Sequence, residues 1–295
     1  MEIQKYFLKG LADYAMLQAG DSVLIGASGG KDSMTLGVLL AWLVGSDGRY
    51  GGIRMEAVHV SGGGAAATPP ERIEYLAELY KAMRVPFEVV EIPDARPARS
   101  CYRCATLRRQ ALLRVAVDKG CNRLALGHHL DDILVTALMG LVRHGSTGKM
   151  LPVRRYASVS GDAGASDADA DAVGAAADAT GDGTSVDNGA TADACVAGTG
   201  SAVARNGASV TLIRPLVYVP EESIRRFALA HGWDATTCSC PAGTSGERSI
   251  YRQRLEVLTG GSLAGKRKLL VGLGFGPVPS AHGVREPVCQ KGDRT

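Results

Sequence analysis

Apolar positions along the chain alternate between short runs and helical stripes. The runs predict buried strands at 23–25, 55–60, 87–92, 123–126 and 211–219. Between the runs, apolar residues recur three and four positions apart, which predicts helices over 32–43, 70–83, 104–119, 131–142, 220–229 and 249–258. Because strands alternate with helices, we predict an α/β fold with a doubly wound, mainly parallel sheet.

The segment after the first strand carries the strongest chemical signal. It is a turn that leads into an apolar helix, and its residues are Ser28, Gly29, Gly30, Lys31, Asp32 and Ser33. Paired glycines let the backbone approach an anion, and the following helix offers free N–H groups. The turn is not a Walker A loop, because only three residues separate Gly26 from Gly30 and Asp32 replaces the hydroxyl residue. We therefore predict a phosphate site of another kind.

Polar residues also lie at the ends of two other predicted strands. His59 lies near the end of the second strand, and Gly127, His128 and His129 follow the fourth. Ligands of doubly wound sheets bind at the carboxyl ends of the strands. We therefore expect these residues and the glycine turn to share one crevice.

Two adjacent carboxylates, Asp131 and Asp132, open the helix after the fourth strand. They could cap that helix, since acidic side chains are favourable at its positive end. They could also bring magnesium to the bound phosphates. Both roles stay open, with one aspartate capping while the other faces the site.

Composition limits the class of protein. The chain has 295 residues, and a hydrophobic content of 45% is ample for a packed core. No apolar run approaches the roughly 20 residues that span a bilayer. The start of the chain lacks the charged, apolar and small-residue pattern of a secretory signal. We expect a cytoplasmic protein.

Residues 157–209 interrupt the pattern of strands and helices. They are almost wholly small and polar, with eight aspartates and one arginine, a net charge of −7. Such a composition cannot bury enough apolar area to fold, so we predict a disordered acidic insertion. It could be a linker without a role or a weak mimic of nucleic-acid charge. The predicted organisation is one domain over 1–156 and 210–270, this insertion, and a tail rich in glycine and proline over 271–295.

The charge outside the insertion is strongly positive. The chain as a whole carries +3, so the remainder carries about +10, much of it as arginine pairs. A basic body of this kind is compatible with a nucleic-acid partner.

Four of the seven cysteines form two close pairs, Cys101 with Cys104 and Cys238 with Cys240. The first pair precedes a predicted helix, and two thiols at that spacing can hold a metal or cluster, or act as a redox pair. A single intervening residue is an awkward spacing for two ligands of a tetrahedral zinc, so one ligand from the second pair is easier to build. Three cysteines around an iron–sulfur cluster would leave one iron open to bind sulfur or substrate. A structural zinc is the alternative.

The glycine turn resembles the pyrophosphate loop of the ATP-pyrophosphatase (PP-loop) family, whose members adenylate a carbonyl oxygen. Over about 1–156 and 210–258 the chain resembles the tRNA 2-thiocytidine synthetase (TtcA) branch of that family. The resemblance rests on Ser28-Gly-Gly-Lys-Asp-Ser33, Cys101-x-x-Cys104-x-x-Leu-Arg-Arg109, Leu126-Gly-His-His-x-Asp-Asp-Ile133, Gly148-Lys-Met-x-Pro152, Ile213-Arg-Pro-Leu216 and the Cys238/Cys240 region. It implies a sheet of the adenine-nucleotide alpha-hydrolase type.

The resemblance also implies an activity and its components. These are ATP, magnesium, a [4Fe-4S] cluster on three cysteines, and tRNA as substrate. The product would be 2-thiocytidine at position 32 of the anticodon loop, formed through an adenylated C2 oxygen. The sulfur would come from a cysteine desulfurase partner, and the enzyme could be a homodimer.

Candidate site residues follow from the resemblance for the loop and the cysteines, and from position and charge in the sequence for the others. Lys31, Asp32 and Ser33 would act in catalysis within the loop of Ser28 to Ser33. Other nucleotide contacts would be His59, Gly127, His128 and Asp132. The cluster ligands would be Cys101, Cys104 and Cys238, with Cys240 as the alternative third ligand. Candidate RNA contacts are Arg108, Arg109, Lys149, Arg154 and Arg155.

Two other functions stay open. One is another PP-loop modifier of tRNA, either a 2-thiouridine synthetase or a lysidine synthetase. The paired Cys101 and Cys104 argue against a lysidine synthetase, which needs no cysteine pair. The 2-thiouridine relatives often carry extra zinc-binding cysteine pairs at both ends, whereas no cysteine precedes Cys101 here. The other function is a non-catalytic ATP-binding module stabilised by zinc.

Overall fold

The computed structural model describes residues 2–62, 68–92, 101–147, 150–156, 209–233 and 246–277. The side chains of residues 101–103 and 246 lie outside this description. Residues 157–208 of the predicted insertion, most of the predicted tail, Lys149, Cys238 and Cys240 also lie outside the described residues. Within the described residues, no helix is long and apolar enough to cross a membrane.

One sheet of six strands forms the centre of the described residues. The strands are β1 (Ser22–Gly26), β2 (Arg54–Gly62), β3 (Phe87–Ile92), β4 (Arg123–Ala125), β5 (Val153–Tyr156) and β6 (Val210–Ile213). Their order is β3-β2-β1-β4-β6-β5, and only the edge pair β5–β6 is antiparallel. The prediction of a mainly parallel sheet is confirmed.

Helices connect the strands and continue after them. They are α1 (Glu2–Asp13), α2 (Lys31–Ser46), α3 (Pro70–Ala82), α4 (Cys101–Asp118), α5 (Leu130–His144), α6 (Glu221–Ala230), α7 (Gly246–Thr259) and α8 (Leu263–Leu270). A 3-10 turn at Gly48–Tyr50 follows α2, and a π turn at Val271–Phe275 extends α8. The sequence analysis assigned 271–295 to a tail rich in glycine and proline, but Phe275 is 2% exposed and packs into the core.

The sheet is covered on both faces, as a doubly wound fold requires. In β1, Val23 and Ile25 point into the larger cluster of buried residues, whereas Leu24 points into the smaller one. The larger cluster includes residues from α1, α2, α3, α5, α6 and α8. The smaller cluster is covered by α4. Leu24 and the apolar side of α4 therefore pack on the same face of the sheet.

The strand predicted over 211–219 is shorter in the structure. It ends at Ile213, and two turns follow, in which Val217 N–H donates to Arg214 O at 3.1 Å and Val219 N–H donates to Leu216 O at 2.9 Å. Pro215 lacks an N–H group, so it cannot extend a ladder of hydrogen bonds. Arg214 is therefore the first residue beyond the carboxyl end of β6.

Strands β5 and β6 are joined by the segment that contains the predicted insertion. Tyr156, the last residue of β5, pairs directly with Val210, the first residue of β6. The chain therefore leaves the sheet and returns to it at neighbouring points of one edge.

Candidate active site

A cavity of about 280 Å³ opens at the carboxyl ends of β1 and β4. Residues of the predicted nucleotide site line it, namely Ser28, Asp32, Ser33, Gly127, His128 and Asp132. Arg108 of α4 forms part of the opposite wall. The structure thus brings the glycine turn and the segment after the fourth strand into one crevice.

The glycine turn is held in shape by its own hydroxyl groups. Ser33 Oγ donates to Gly30 O at 2.9 Å, and Ser28 Oγ donates to Ser33 Oγ at 3.0 Å. Gly29 has a φ of +82°, a conformation that L side chains rarely adopt, and its carbonyl accepts from Arg72. Gly30 makes no side-chain cap bond, so the first N–H groups of α2 stay available to an anion.

The backbone that follows β4 approaches the start of α2 very closely at Gly127. A Cβ atom there would lie 2.9 Å from Asp32 C, Asp32 O and Ser33 N. These are rigid backbone atoms at the first turn of the helix. A side chain at Gly127 would therefore displace the loop that is aimed at the phosphates.

We expect Gly127→Ala to weaken ATP binding at least tenfold, because the new methyl group pushes the first turn of α2 out of place. Gly45→Ala in the same helix is the matched control, since a Cβ atom there meets nothing within 4 Å. Calorimetric titration of both variants with ATP checks the prediction. Equal affinities for the two variants would contradict it.

Three potential metal ligands converge beside the loop. Ligand atoms of Asp32, His129 and Asp132 all lie within 4.8 Å of one another. His129 Nε2 is 3.3 Å from Asp132 Oδ2 and 3.9 Å from Asp32 Oδ1. Carboxylate oxygens are the protein ligands that Mg²⁺ prefers. The donor set therefore fits a divalent cation held mainly by the two aspartates.

The environment of Asp132 keeps it ionised. Burial alone would raise the pKa of this carboxyl group, but His129 and Arg248 among its neighbours hold the pKa below its usual value. A carboxylate that stays charged can accept a cation without first losing a proton. Asp132 is therefore ready to bind a metal at neutral pH.

The neighbouring Asp131 has a different role. Its Oδ2 accepts from the backbone N–H of Glu221, the first residue of α6, at 2.8 Å, and its Oδ1 lies 2.6 Å from Lys266 Nζ. Asp131 thus caps α6 and not its own helix, while Asp132 faces the cavity. The two roles that the sequence left open are divided between the two aspartates.

Two arginines of α7 contact the Asp132 carboxylate. The sequence analysis did not identify either arginine as part of the site. Arg248 Nη2 lies 3.5 Å and Arg252 Nη2 lies 3.4 Å from Asp132 Oδ1. Arg252 also lies 3.8 Å from Glu221, which in turn lies 3.6 Å from Lys31. These contacts tie α6 and α7 to the phosphate loop. No spacing rule connects residues so far apart in sequence.

The two predicted histidines occupy different environments. Both ring nitrogens of His59 are bonded, Nδ1 to Ala27 O at 2.7 Å and Nε2 to Thr68 Oγ1 at 2.8 Å, and burial lowers its pKa. His59 is therefore a neutral ring that supports the strand before the loop. His128 lines the cavity, its Nδ1 has no partner among the described residues, and burial and Arg214 hold its pKa well below the usual range.

The cysteine pair lies at the beginning of α4. Cys101 is the first residue of the helix, and the partly exposed Cys104 is a free thiol one turn later. Cys121 is buried against Ser22, and burial raises the pKa of its thiol, which suits a structural residue. The predicted third ligand, Cys238 or Cys240, lies outside the described residues.

The predicted RNA contacts divide between two elements. Arg108 and Arg109 lie on α4, whereas Arg154 and Arg155 lie on the edge strand β5. Lys149 lies outside the described residues. The described arginines thus fall on elements that border β6 and the cavity.

Comparison with known proteins agrees with this geometry. Residues 2–160 match the model of the PP-loop domain family. The chain is 31% identical to the tRNA-cytidine(32) 2-sulfurtransferase of Syntrophotalea carbinolica over 87% of this chain and 80% of that protein. It is 30% identical to the enzyme of the same name from Geobacter sulfurreducens, over 90% of this chain and 86% of that protein.

A solved structure has the same fold. The U34-tRNA thiolase NcsA from Methanococcus maripaludis, determined with its [4Fe-4S] cluster, superposes with a TM-score of 0.63 and 18% identity. The match covers 92% of this chain and 76% of that chain. The family match, the two relatives and the loop geometry agree, and the chain belongs to the tRNA-cytidine(32) 2-sulfurtransferase family of PP-loop proteins.

Proposed function

We propose that this protein is an ATP-dependent tRNA sulfurtransferase that forms 2-thiocytidine at position 32 of the anticodon loop. The observation that carries the proposal is the cavity in which the PP-loop and the Asp32/Asp132 carboxylates meet, in a chain of this family. Anticodon-loop bases are unpaired, so a base can enter such a cavity without melting a duplex.

The first chemical step is adenylation of the cytosine C2 oxygen. This oxygen attacks the α-phosphorus of ATP, and pyrophosphate leaves. The N–H groups of α2 and Lys31 would offset the charge that develops on the departing phosphates. Asp32 and Asp132 would hold Mg²⁺, which would supply positive charge to offset the charge on the departing phosphates.

The second step replaces the adenylated oxygen with sulfur and releases AMP. A [4Fe-4S] cluster would supply the sulfur-holding iron when it is bound. Cys101 and Cys104 would be two of its ligands, and we propose Cys238 as the third, with Cys240 as the alternative. Cys104 lies one helical turn before Arg108 of the cavity wall, a rise of about 6 Å, so the cysteine end of α4 adjoins the cavity.

The remaining components are also proposals. Arg108, Arg109, Lys149, Arg154 and Arg155 would contact the phosphates of tRNA, and His59 and His128 would support the nucleotide site. The sulfur would come from a cysteine desulfurase in the cytoplasm, and the working enzyme would be a homodimer. Residues 157–209 would be an insertion into a single domain.

The product of the reaction tests the proposal. Protein purified without oxygen is incubated with ATP, Mg²⁺, sulfide and unmodified tRNA, and the tRNA is digested and analysed by mass spectrometry. We expect 2-thiocytidine in equal amount to AMP, and none from a matched tRNA that carries uridine at position 32. Thiouridine or lysidine as the product would assign another PP-loop activity. ATP binding without AMP release would indicate a non-catalytic module.

A further inference from the structure

Several buried nitrogen atoms beside the cavity lack a hydrogen-bond partner. Among the described residues these include Arg108 Nε, His128 Nδ1 and Arg214 Nε. A buried polar group without a partner costs free energy, so such groups are rare in folded proteins. When several occur together beside a binding cavity, a ligand is the natural partner.

Arg214 is the most unusual member of this group. Its side chain is only 2% exposed, and its guanidinium donates to the backbone carbonyl of Leu151. Within the described ranges, no carboxylate forms an ion pair with it. Burial together with Arg109 and Arg154 lowers its pKa to about 10, with Tyr156 opposing them. Among the described residues, Arg214 is thus a buried positive charge without a carboxylate to balance it.

The position of Arg214 separates it from the pyrophosphate loop. It follows β6, and β4 lies between β6 and β1, the strand that leads into the loop. Arg214 does not line the nucleotide cavity, although its charge acts on His128, which does. An anion at Arg214 would therefore approach from the β6 side and lie beyond His128.

We propose that Arg214 binds a phosphodiester group of the polynucleotide substrate next to the reacting nucleotide. The inference rests on the proposed function and adds a site for the RNA backbone to it. A guanidinium fork suits phosphate oxygens, and a buried one binds them more strongly than an exposed one. Arg109 and Arg154 add a positive field around the same point. The phosphates of ATP belong instead to the loop on the other side of β4.

The experiment measures binding and not turnover. We would determine the affinity of the full-length protein for unmodified tRNA at several salt concentrations, with Arg214→Met as the variant. We expect the affinity for tRNA to fall by about tenfold or more, since hydrogen bonds to charged groups are strong. We also expect the slope of log affinity against log salt concentration to decrease in magnitude by about 0.7, the value for one phosphate contact on a single strand. The affinity for ATP should not change.

Two further variants make the test specific. Arg225→Gln removes an exposed charge from α6, where Arg225 pairs weakly with Glu222, and should leave the affinity for tRNA unchanged. Arg214→Lys keeps the charge but loses the fork, so it should keep the salt slope and lose affinity severalfold. This variant also decides the matter if Arg214→Met does not fold, as checked by circular dichroism.

Each other outcome overturns the inference in a recognisable way. Unchanged tRNA affinity in Arg214→Lys and a folded Arg214→Met would make Arg214 a structural residue only. A loss of ATP affinity with tRNA affinity retained would assign the phosphate to the nucleotide. If the unaltered protein does not bind tRNA, the proposed function fails together with the inference.

Discussion

Replacement of Cys101 by alanine should abolish tRNA thiolation and cluster binding while ATP binding stays intact. A [4Fe-4S] cluster held by three cysteines would lose one of its protein ligands. ATP binding should survive because the pyrophosphate loop lies after β1, whereas Cys101 lies at the start of α4. We expect iron content to fall from about four atoms per chain to near zero.

Iron and sulfide analysis of protein purified without oxygen checks this prediction. The matched control is Cys121→Ala, which removes a buried thiol at the opposite end of β4 and should retain the cluster. Retention of the cluster in Cys101→Ala would disprove the ligand assignment. A colourless unaltered protein with one zinc would make the cysteines structural.

Replacement of Asp32 by alanine should reduce AMP formation by at least about a hundredfold, with the cluster retained. The variant removes one of two carboxylates that can hold Mg²⁺, and metal stabilisation of departing phosphates is worth several kcal/mol. It also removes one of the two carboxylates beside Lys31, whose Nζ lies 3.0 Å from Asp32 Oδ1 and 3.6 Å from Glu221 Oε1. Lys31 is then held less firmly against the phosphates.

AMP release with tRNA present, measured across a range of Mg²⁺ concentrations, provides the test. A lost metal ligand predicts that high Mg²⁺ restores part of the rate. Asp47→Ala, at the far end of α2, is the control and should react at the normal rate. Normal AMP formation by Asp32→Ala would remove Asp32 from the catalytic group.

The predictable parts of the fold are the elements whose formation follows from the pattern of residues within the element itself. Apolar runs identified five strands, because a parallel strand that is buried on both faces needs apolar residues throughout. Strand β5 was missed, since Val153–Tyr156 is short, half-exposed and contains two arginines. The turn at Val271–Phe275 was missed because Gly274 adopts a φ of +84° within a glycine-rich segment that predicts no helix.

The candidate site divides in the same way. The loop and the residues after β4 were recognisable from the sequence, because each consists of consecutive residues with a characteristic order. The partners of Asp131 and Asp132 were not, since Lys266 and Arg252 reach them only after α7 and α8 have packed. Tertiary packing decided which aspartate became a cap and which faced the cavity. Periodicity contains no information about such long-range pairs.

Because Tyr156 pairs directly with Val210, the sheet tolerates connecting segments of very different length between β5 and β6. Directly paired residues of an antiparallel ladder lie about 5 Å apart, so the sheet requires only that the intervening chain close this gap. The entropy cost of closure rises by roughly 0.6 kcal/mol for each doubling of length. Relatives can therefore differ greatly in length here while their catalytic crevices stay alike. A fluorescent reporter or a surface tether could replace 157–209 for the same reason.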